Sequence, residues 1–288
     1  MLRTVLCLVL AAIWVTVPGA PVAQGTDWPT LARTVSELGT DTRGLPADLL
    51  QRRITSFATR ADGGVYAVAY YLHRGDLLDA PLYLAFRERG RPWQQRALTD
   101  PKHSEMAFGS AIDIHVSPSL LLIDTHINPS RGTLLVVRRS TLALETTLDG
   151  WLKMVLPTGL VVYTESMRHF APAHSEELHT YDASTRRAVS LYPTGYQSAV
   201  RRNFISWLRP VFAAAAIGDP TNAYGWDPEL FDVSVDPKTL NYVPATDTLH
   251  FVVRFSSDRT PAAAELRETH RVTCRPMKAQ TRTCVEAQ

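Results

Sequence analysis

Apolar and polar residues alternate along much of the chain beyond residue 50, which is the pattern of strands with one buried face. Four runs show it most clearly, each introduced by turn residues: GGVYAVAYYL (63–72), PSLLLIDTHI (118–127), TGLVVYTESM (158–167) and TDTLHFVVRF (246–255). β-branched and aromatic side chains are frequent in these runs, which favours strand over helix. The sequence therefore predicts extended strands in four similar portions.

Each of these runs has the same kinds of neighbour along the chain. A strand candidate precedes each run, at 53–60, 110–117, 151–157 and 239–245. A polar loop and another candidate follow, at 81–89, 132–140, 176–184 and 264–272. A short turn then leads to a last candidate, at 91–99, 141–148, 186–193 and 280–287. We therefore predict a repeated unit of four short strands in a meander.

A four-stranded sheet of this composition has apolar side chains on both faces, so it must pack against further copies of itself. Radial packing of four-stranded meanders produces a β-propeller. We predict an all-β, propeller-like fold with four recognisable four-stranded blades. A two-sheet β-sandwich is the alternative.

A long segment separates the third repeat from the fourth. Between residues 197 and 216 apolar side chains recur at helical spacing, and Pro210 kinks or divides the run. We predict a helical insertion there, with a degenerate fifth blade as the alternative. The expected organisation is a leader (1–25), an N-terminal segment (26–50), three blades (51–192), the insertion (193–236) and a last blade (237–288).

The repeats over residues 51–288 resemble secreted bacterial β-propeller-type repeat proteins. The resemblance is architectural, because the chain has no SxDxGxTW, no YWTD and no regular Gly-His and Trp-Asp pattern. Trp226-Asp227 is an isolated dipeptide outside the blades. The resemblance implies a repeat-built fold and an exported protein, and it implies no particular ligand.

The first 25 residues have the features of a secretory signal. Arg3 is the only charged residue there, and the apolar run Val5–Val17 is shorter than the roughly 20 residues that span a bilayer. Small residues favour cleavage after Gly25, and an uncleaved anchor is the alternative. We expect a secreted or periplasmic protein with no membrane span after cleavage.

Cysteine use agrees with export. Cys7 lies in the leader, so a mature chain keeps Cys274 and Cys284. The polar segment between them is typical of a turn, and we predict a disulfide that closes the last hairpin. A redox pair or a two-cysteine metal site is less favoured, because redox pairs are usually CxxC.

Bulk composition and charge exclude several classes of protein. Hydrophobic residues make up 45% and charged residues 20% of the 288 residues, which excludes a disordered chain. Lys plus Arg number 30 against 28 Asp plus Glu, a net charge of +2, so we expect no nucleic-acid partner. We expect a monomer.

The longer connections of a meander lie at one end of the sheets, and loops on a rigid scaffold are where functional residues concentrate. Histidines and carboxylates cluster in these connections, whereas the turns at the other end are short and bland. The candidate binding residues are His73, His103, Asp124, His126, Glu165, His169 and His174. Asp113 and His115 lie on an innermost strand, where we expect a buried, hydrogen-bonded role.

No known catalytic or phosphate-binding motif identifies the function of the chain. HExxH, GxSxG and the phosphate-binding glycine loops are absent from the sequence. We predict a binding protein for a glycan, a peptide or an envelope component. One alternative is a polysaccharide hydrolase or lyase, with His126, His169 or His174 as base or metal ligand and Glu165 or Asp124 as its partner. A structural interaction scaffold is the other. No cofactor is predicted, and a divalent metal ion is the alternative.

Overall fold

The computed structural model describes residues 28–73, 81–99, 108–128, 131–165, 174–175, 178–191, 232–256, 267–278 and 283–287. These residues form two helices, α1 (Leu31–Glu37) and α2 (Ala47–Leu50), a 3-10 turn (Pro237–Thr239), and strands in three sheets. Neighbouring strands are antiparallel except for one short pair. The predicted predominance of β-structure is confirmed. The leader and residues 192–231 lie outside the described residues.

The first sheet contains β1 (Ile54–Asp62), β2 (Val65–Leu72), β3 (Leu82–Glu88) and β4 (Gln94–Leu98), in that order. The hairpin between β1 and β2 turns through Gly63 and Gly64, both at positive φ. Positive φ at both central residues suits the right-handed twist of the flanking strands. These four strands are the first predicted meander, and we call them the first meander.

The second sheet combines two predicted meanders. It contains β5 (Ser110–Val116), β6 (Leu120–Asn128), β7 (Arg131–Arg138), β8 (Ala143–Val155), β9 (Leu160–Glu165), β11 (Leu178–Asp182) and β12 (Arg187–Ser190). Thirteen residues form β8; its first half pairs with β7 and its second half, from Gly150, pairs with β9. We call β5 to the first half of β8 the second meander, and the second half of β8 to β12 the third meander.

The third sheet contains β10 (His174–Ser175), β13 (Asp232–Val235), β14 (Asn241–Val243), β15 (Thr248–Ser256), β16 (Arg267–Arg275) and β17 (Thr283–Ala287). We call β14 to β17 the fourth meander. Cys274 and Cys284 are directly opposite on β16 and β17 and form the predicted disulfide. β13 is a strand where the predicted helical insertion would end, because it pairs with the half of β15 that the short β14 leaves uncovered.

The four meanders stack face to face in chain order. One buried cluster joins the first and second meanders, and it includes Leu84 and Ile123. A second joins the second and third through Leu122 and Val161. A third joins the third and fourth meanders, where Val162 packs with residues such as Phe251. Each strand therefore divides its apolar side chains between two neighbouring layers, as period-2 alternation requires.

The two helices cover the remaining face of the first meander. Leu31 and Val35 of α1 are fully buried and pack with Val68 and Tyr70 of β2 and with Trp93.

In the described part of the chain the sheets do not close into a propeller ring. The outer face of the first meander, where a closing blade would pack, is occupied by α1 and α2. No helix of the described residues is long and apolar enough to cross a membrane.

Candidate functional site

The row of side chains on β6 that faces the third meander changes from apolar to polar at Asp124. Leu120 and Leu122 are buried in the cluster between the second and third meanders. Asp124 and His126 continue the same row and are partly buried. The register places Asp113 of β5 directly opposite Asp124. Two carboxylates thus occupy adjacent positions on one face of the second sheet.

The Asp124 side chain is held by the backbone of β8. Its Oδ1 accepts a hydrogen bond from the N–H of Leu152 at 2.9 Å. Burial raises the pKa of Asp124 to about 6; the negative charge of Asp113 adds to this, and the Leu152 hydrogen bond and the charge of Lys153 oppose it. A bulge between Leu152 and Met154 inserts Lys153 into β8. Asp124 therefore exchanges its proton close to neutral pH.

Asp113 and His115 differ from the buried role expected of them. Asp113 follows a bulge in β5 and is exposed, with Oδ1 accepting from the N–H of Ile114 at 2.8 Å. The expected burial was wrong for Asp113, because the bulge after the buried Ala111 leaves the next two side chains exposed, whereas the expected hydrogen bond is present. His115 is partly buried, and burial together with the charge of Arg60 lowers the pKa of its imidazole.

An indole ring covers a glycine of the neighbouring strand β7. Trp151 immediately precedes the residue that hydrogen-bonds Asp124, and its ring packs on the backbone of Gly132. A Cβ at Gly132 would overlap Nε1 of this ring and would lie 2.8 Å from the carbonyl oxygen of Thr125. Gly132 is directly opposite His126 in the register. The partly buried indole therefore lies over the start of β7, next to His126 on β6.

The other predicted site residues are distributed more widely. His73 ends β2 in the first sheet, and its ring centroid lies 5.8 Å from that of Trp28. Glu165 is the last residue of β9, opposite Gly150, and His174 begins β10. His103 and His169 lie outside the described residues. Of the predicted set, the structure brings together Asp124 and His126.

Trp151 and Lys153 are part of this region but were missed as candidates. The sequence pattern assigned both to a strand, and their orientation depends on the bulge and on contact with Gly132, which is distant in the sequence.

A cavity at the other end of the second sheet was also not predicted from the sequence. A cavity of about 1080 Å³ lies at the opposite end, where three short turns meet. Within the described ranges, no group of three or more His, Cys, Asp or Glu side chains could hold a metal ion.

Comparisons with known proteins give distant similarities only. No protein-family model and no curated protein matches the chain. A thermostable family-43 glycoside hydrolase aligns at a TM-score of 0.28 and 6% identity, covering 81% of this chain and 72% of that one. An endo-1,4-beta-xylanase from Bacteroides thetaiotaomicron VPI-5482 aligns at 0.26 and 8%, covering 82% and 94%. At these TM-scores neither structure supports an argument about this chain.

Proposed function

We propose that this chain is an exported binding protein for a glycan, with its site at Asp113, Asp124 and Trp151. The observation that carries the proposal is the carboxylate pair on β5 and β6 of the second sheet, with a partly buried indole over the neighbouring strand β7. Carboxylate oxygens accept hydrogen bonds from sugar hydroxyls, and an indole offers an apolar face to a sugar ring.

Charge favours a neutral polyhydroxyl ligand over an anionic one. Asp113 and Asp124 contribute two negative charges, with Lys153 as the cation that acts on Asp124. An anionic ligand would be repelled by the pair unless Asp124 were protonated. A neutral glycan has hydroxyl donors for both carboxylates and needs no counter-charge.

Two broader expectations belong to the same proposal. Export is supported by the disulfide between Cys274 and Cys284 together with the leader-like composition of residues 1–25. An open stack of propeller-like blades is supported by the stacking of four meanders in chain order. In this arrangement α1 and α2 act as a cap on the first meander.

A second candidate function is hydrolysis of a polysaccharide. The favouring observation is the raised pKa of Asp124, about 6, beside a second carboxylate. A carboxyl group that titrates near the working pH is suited to general acid–base catalysis. In this role Asp124 would give its proton to the leaving oxygen as the glycosidic bond breaks, and a water molecule would attack the sugar carbon and lose a proton to the Asp113 side chain.

One experiment distinguishes glycan binding from polysaccharide hydrolysis. The full chain is incubated with cellohexaose, xylohexaose and chitohexaose; binding is measured by calorimetry and cleavage by chromatography of the sugars. A binding protein gives saturable heat and intact sugar, whereas a hydrolase gives shorter products. Asp113→Asn and Trp151→Ala should weaken either activity by about tenfold or more. Asp48→Asn, an exposed change on α2, is the control.

Loss of binding or turnover in both site variants, with the Asp48→Asn protein unchanged, supports the proposed site. Saturable binding of an oligopeptide such as hexaalanine, with no response to any of the three sugars, would replace the glycan by a peptide. No saturable response to any probe would overturn the proposal.

A further inference from the structure

Exposed apolar side chains are concentrated on the strands around the carboxylate pair. Among the described residues five large hydrophobic side chains are exposed, and three of them belong to β1, β5 and β6. These are Phe57, Ile112 and Ile127, and Ile112 is the most exposed of the five at 53%. The other two, Val189 and Val285, lie on β12 and β17. We call Phe57, Ile112 and Ile127 the apolar patch.

Ile112 lies beside the carboxylate of Asp113 because of the bulge in β5. Asp113 is directly opposite Asp124, and Ile112 is the extra residue that the partner strand leaves unpaired. A bulge sets two consecutive residues opposite one residue of the neighbouring strand. Ile112 and Asp113 therefore both lie opposite Asp124, and both are exposed. An apolar side chain and a carboxylate are thus adjacent on the protein surface.

The neighbouring strand β1 has a bulge at a corresponding place. Its register shifts between Thr55 and Ala58, and Ser56 takes the left-handed conformation with φ 47°. This conformation is uncommon for a residue other than glycine, and such outliers cluster where a protein binds or acts on a ligand. Phe57 lies within the bulge and is exposed. Bulges commonly re-aim a side chain in this way.

Two contacts fix how β1 and β5 lie side by side. The N–H of Phe108, just before β5, donates to the hydroxyl of Tyr71 at 3.1 Å, and Tyr71 pairs with the start of β1. Farther along both strands, burial and then the charge of Arg60 lower the pKa of the His115 imidazole, so these two residues are close. The bulges of β1 and β5 lie between these two points and are therefore neighbours.

Ile127 extends the apolar patch at the loop end of β6. It is the extra residue where the register of β6 with β7 shifts between His126 and Asn128. A Cβ at Gly109 would lie 2.9 Å from Cγ1 of Ile127, so this side chain lies against the residue that precedes β5. All three members of the apolar patch are therefore bulge residues, whereas Val285 is in regular register with β16.

We propose that the glycan bound at Asp113 and Asp124 is N-acetylated, an inference that rests on the proposed function. In a trans acetamido group the N–H and the methyl group lie on the same side of the planar amide, and the carbonyl oxygen lies on the other. The N–H would donate to the carboxylate of Asp113 while the methyl group contacts Ile112. A hydroxyl in the same place would use the carboxylate and leave the isoleucine in water.

The proposal is tested with hexa-N-acetylchitohexaose and cellohexaose. Both are β-1,4-linked glucose chains, and they differ only in carrying an acetamido or a hydroxyl group on C2. Affinities for the full chain are measured by calorimetry in one buffer. We expect the acetylated sugar to bind about tenfold more tightly, since it adds a buried methyl group and an N–H donor.

Ile112→Ser should lower this preference to about twofold or less, because serine offers no apolar contact. Val285→Ser is the matched control: Val285 is exposed to 47%, on a strand of the third sheet, and its replacement should leave the preference unchanged. A second measurement needs no loss of function. With ¹³C-labelled isoleucine methyl groups, we expect an NOE between the bound acetyl methyl protons and the δ1 methyl group of Ile112.

The inference is overturned if the two sugars bind alike, if Ile112→Ser keeps the full preference, or if the NOE to Ile112 is absent from the complex. Saturable binding of cellohexaose in any of these cases would still support the proposed glycan site. No saturable binding of either sugar would overturn the glycan site itself and this inference with it.

Discussion

The carboxylate of Asp124 accepts a hydrogen bond from the backbone N–H of Leu152 at 2.9 Å, which ties β6 to the second half of β8. The contact lies just beyond Gly150, where β8 leaves β7 and begins to pair with β9. Asp124 therefore has a structural role where two meanders share one strand. It also keeps a titrating carboxyl at the loop end of the layer between them.

We expect Asp124→Asn to change the pH dependence of stability. The folded pKa is about 6 against an ordinary value of 3.8, so folding favours the protonated form. The contribution of Asp124 to wild-type stability is therefore highest below the ordinary value and falls as the pH rises through 6. The amide still accepts from Leu152 but carries no charge, so the variant should be more stable above pH 6, by about 1–3 kcal/mol.

Urea unfolding from about pH 4 to about pH 8 measures this difference. The curves of the two proteins should converge at the acid end, where both side chains are neutral. A variant that is less stable than wild type at every pH would show that the carboxylate stabilises the fold in its charged form.

Gly132→Ala should destabilise the second sheet. The added Cβ would overlap the indole of Trp151 and press on the backbone at Thr125. We expect a loss of about 2–3 kcal/mol in the free energy of unfolding, as for other overpacking changes. Thermal and urea denaturation measure the loss.

A double-mutant cycle with Trp151→Leu assigns the cause. The smaller side chain leaves room for the new methyl group, so the Gly132→Ala change should cost less in the Trp151→Leu background. Equal losses in both backgrounds would place the strain in the backbone and away from the indole.

Leu31→Ala tests the role of α1 as a cap on the first meander. Leu31 is fully buried against β2 and Trp93, so truncation should cost about 2–4 kcal/mol. Ser36→Ala is the matched control, because Ser36 is exposed on the same helix. Equal stability of the two variants in urea unfolding would contradict the capping role.

Replacing both cysteines of the last hairpin by alanine should loosen β17. The disulfide closes a short loop between directly opposite residues, and the chain-entropy model gives about 2–3 kcal/mol for a loop of this length. We expect faster amide hydrogen exchange in β16 and β17 and little change in the first meander. Uniformly faster exchange would show that the hairpin supports the whole stack.

The strands could be predicted because their signals are local. Alternation and turn residues such as Gly63-Gly64 act within a few positions, and each meander was found at the expected place. The fusion of two meanders through β8 could not be predicted, because Asp149-Gly150 has the composition of a turn but is extended here. The helical cap was missed because α1 has only seven residues.

The candidate site was predictable only in part. Asp124 and His126 were identified because a loop-end strand carries them in alternation with apolar residues. The contributions of Trp151 and Lys153 depend on a bulge and on contact with Gly132, which are tertiary features. The cavity needs turns from separate meanders, so no single stretch of sequence contains its pattern.

The most direct test of the proposed glycan site is a ¹³C NMR pH titration of the Asp124 carboxyl, with and without saturating oligosaccharide from the hexasaccharide panel. We expect this carboxyl to titrate near pH 6 without sugar, in accord with its burial, and to change in chemical shift, together with Asp113, when the sugar binds. An Asp124 carboxyl that titrates at the ordinary value of 3.8 and does not respond to a bound sugar would contradict the account.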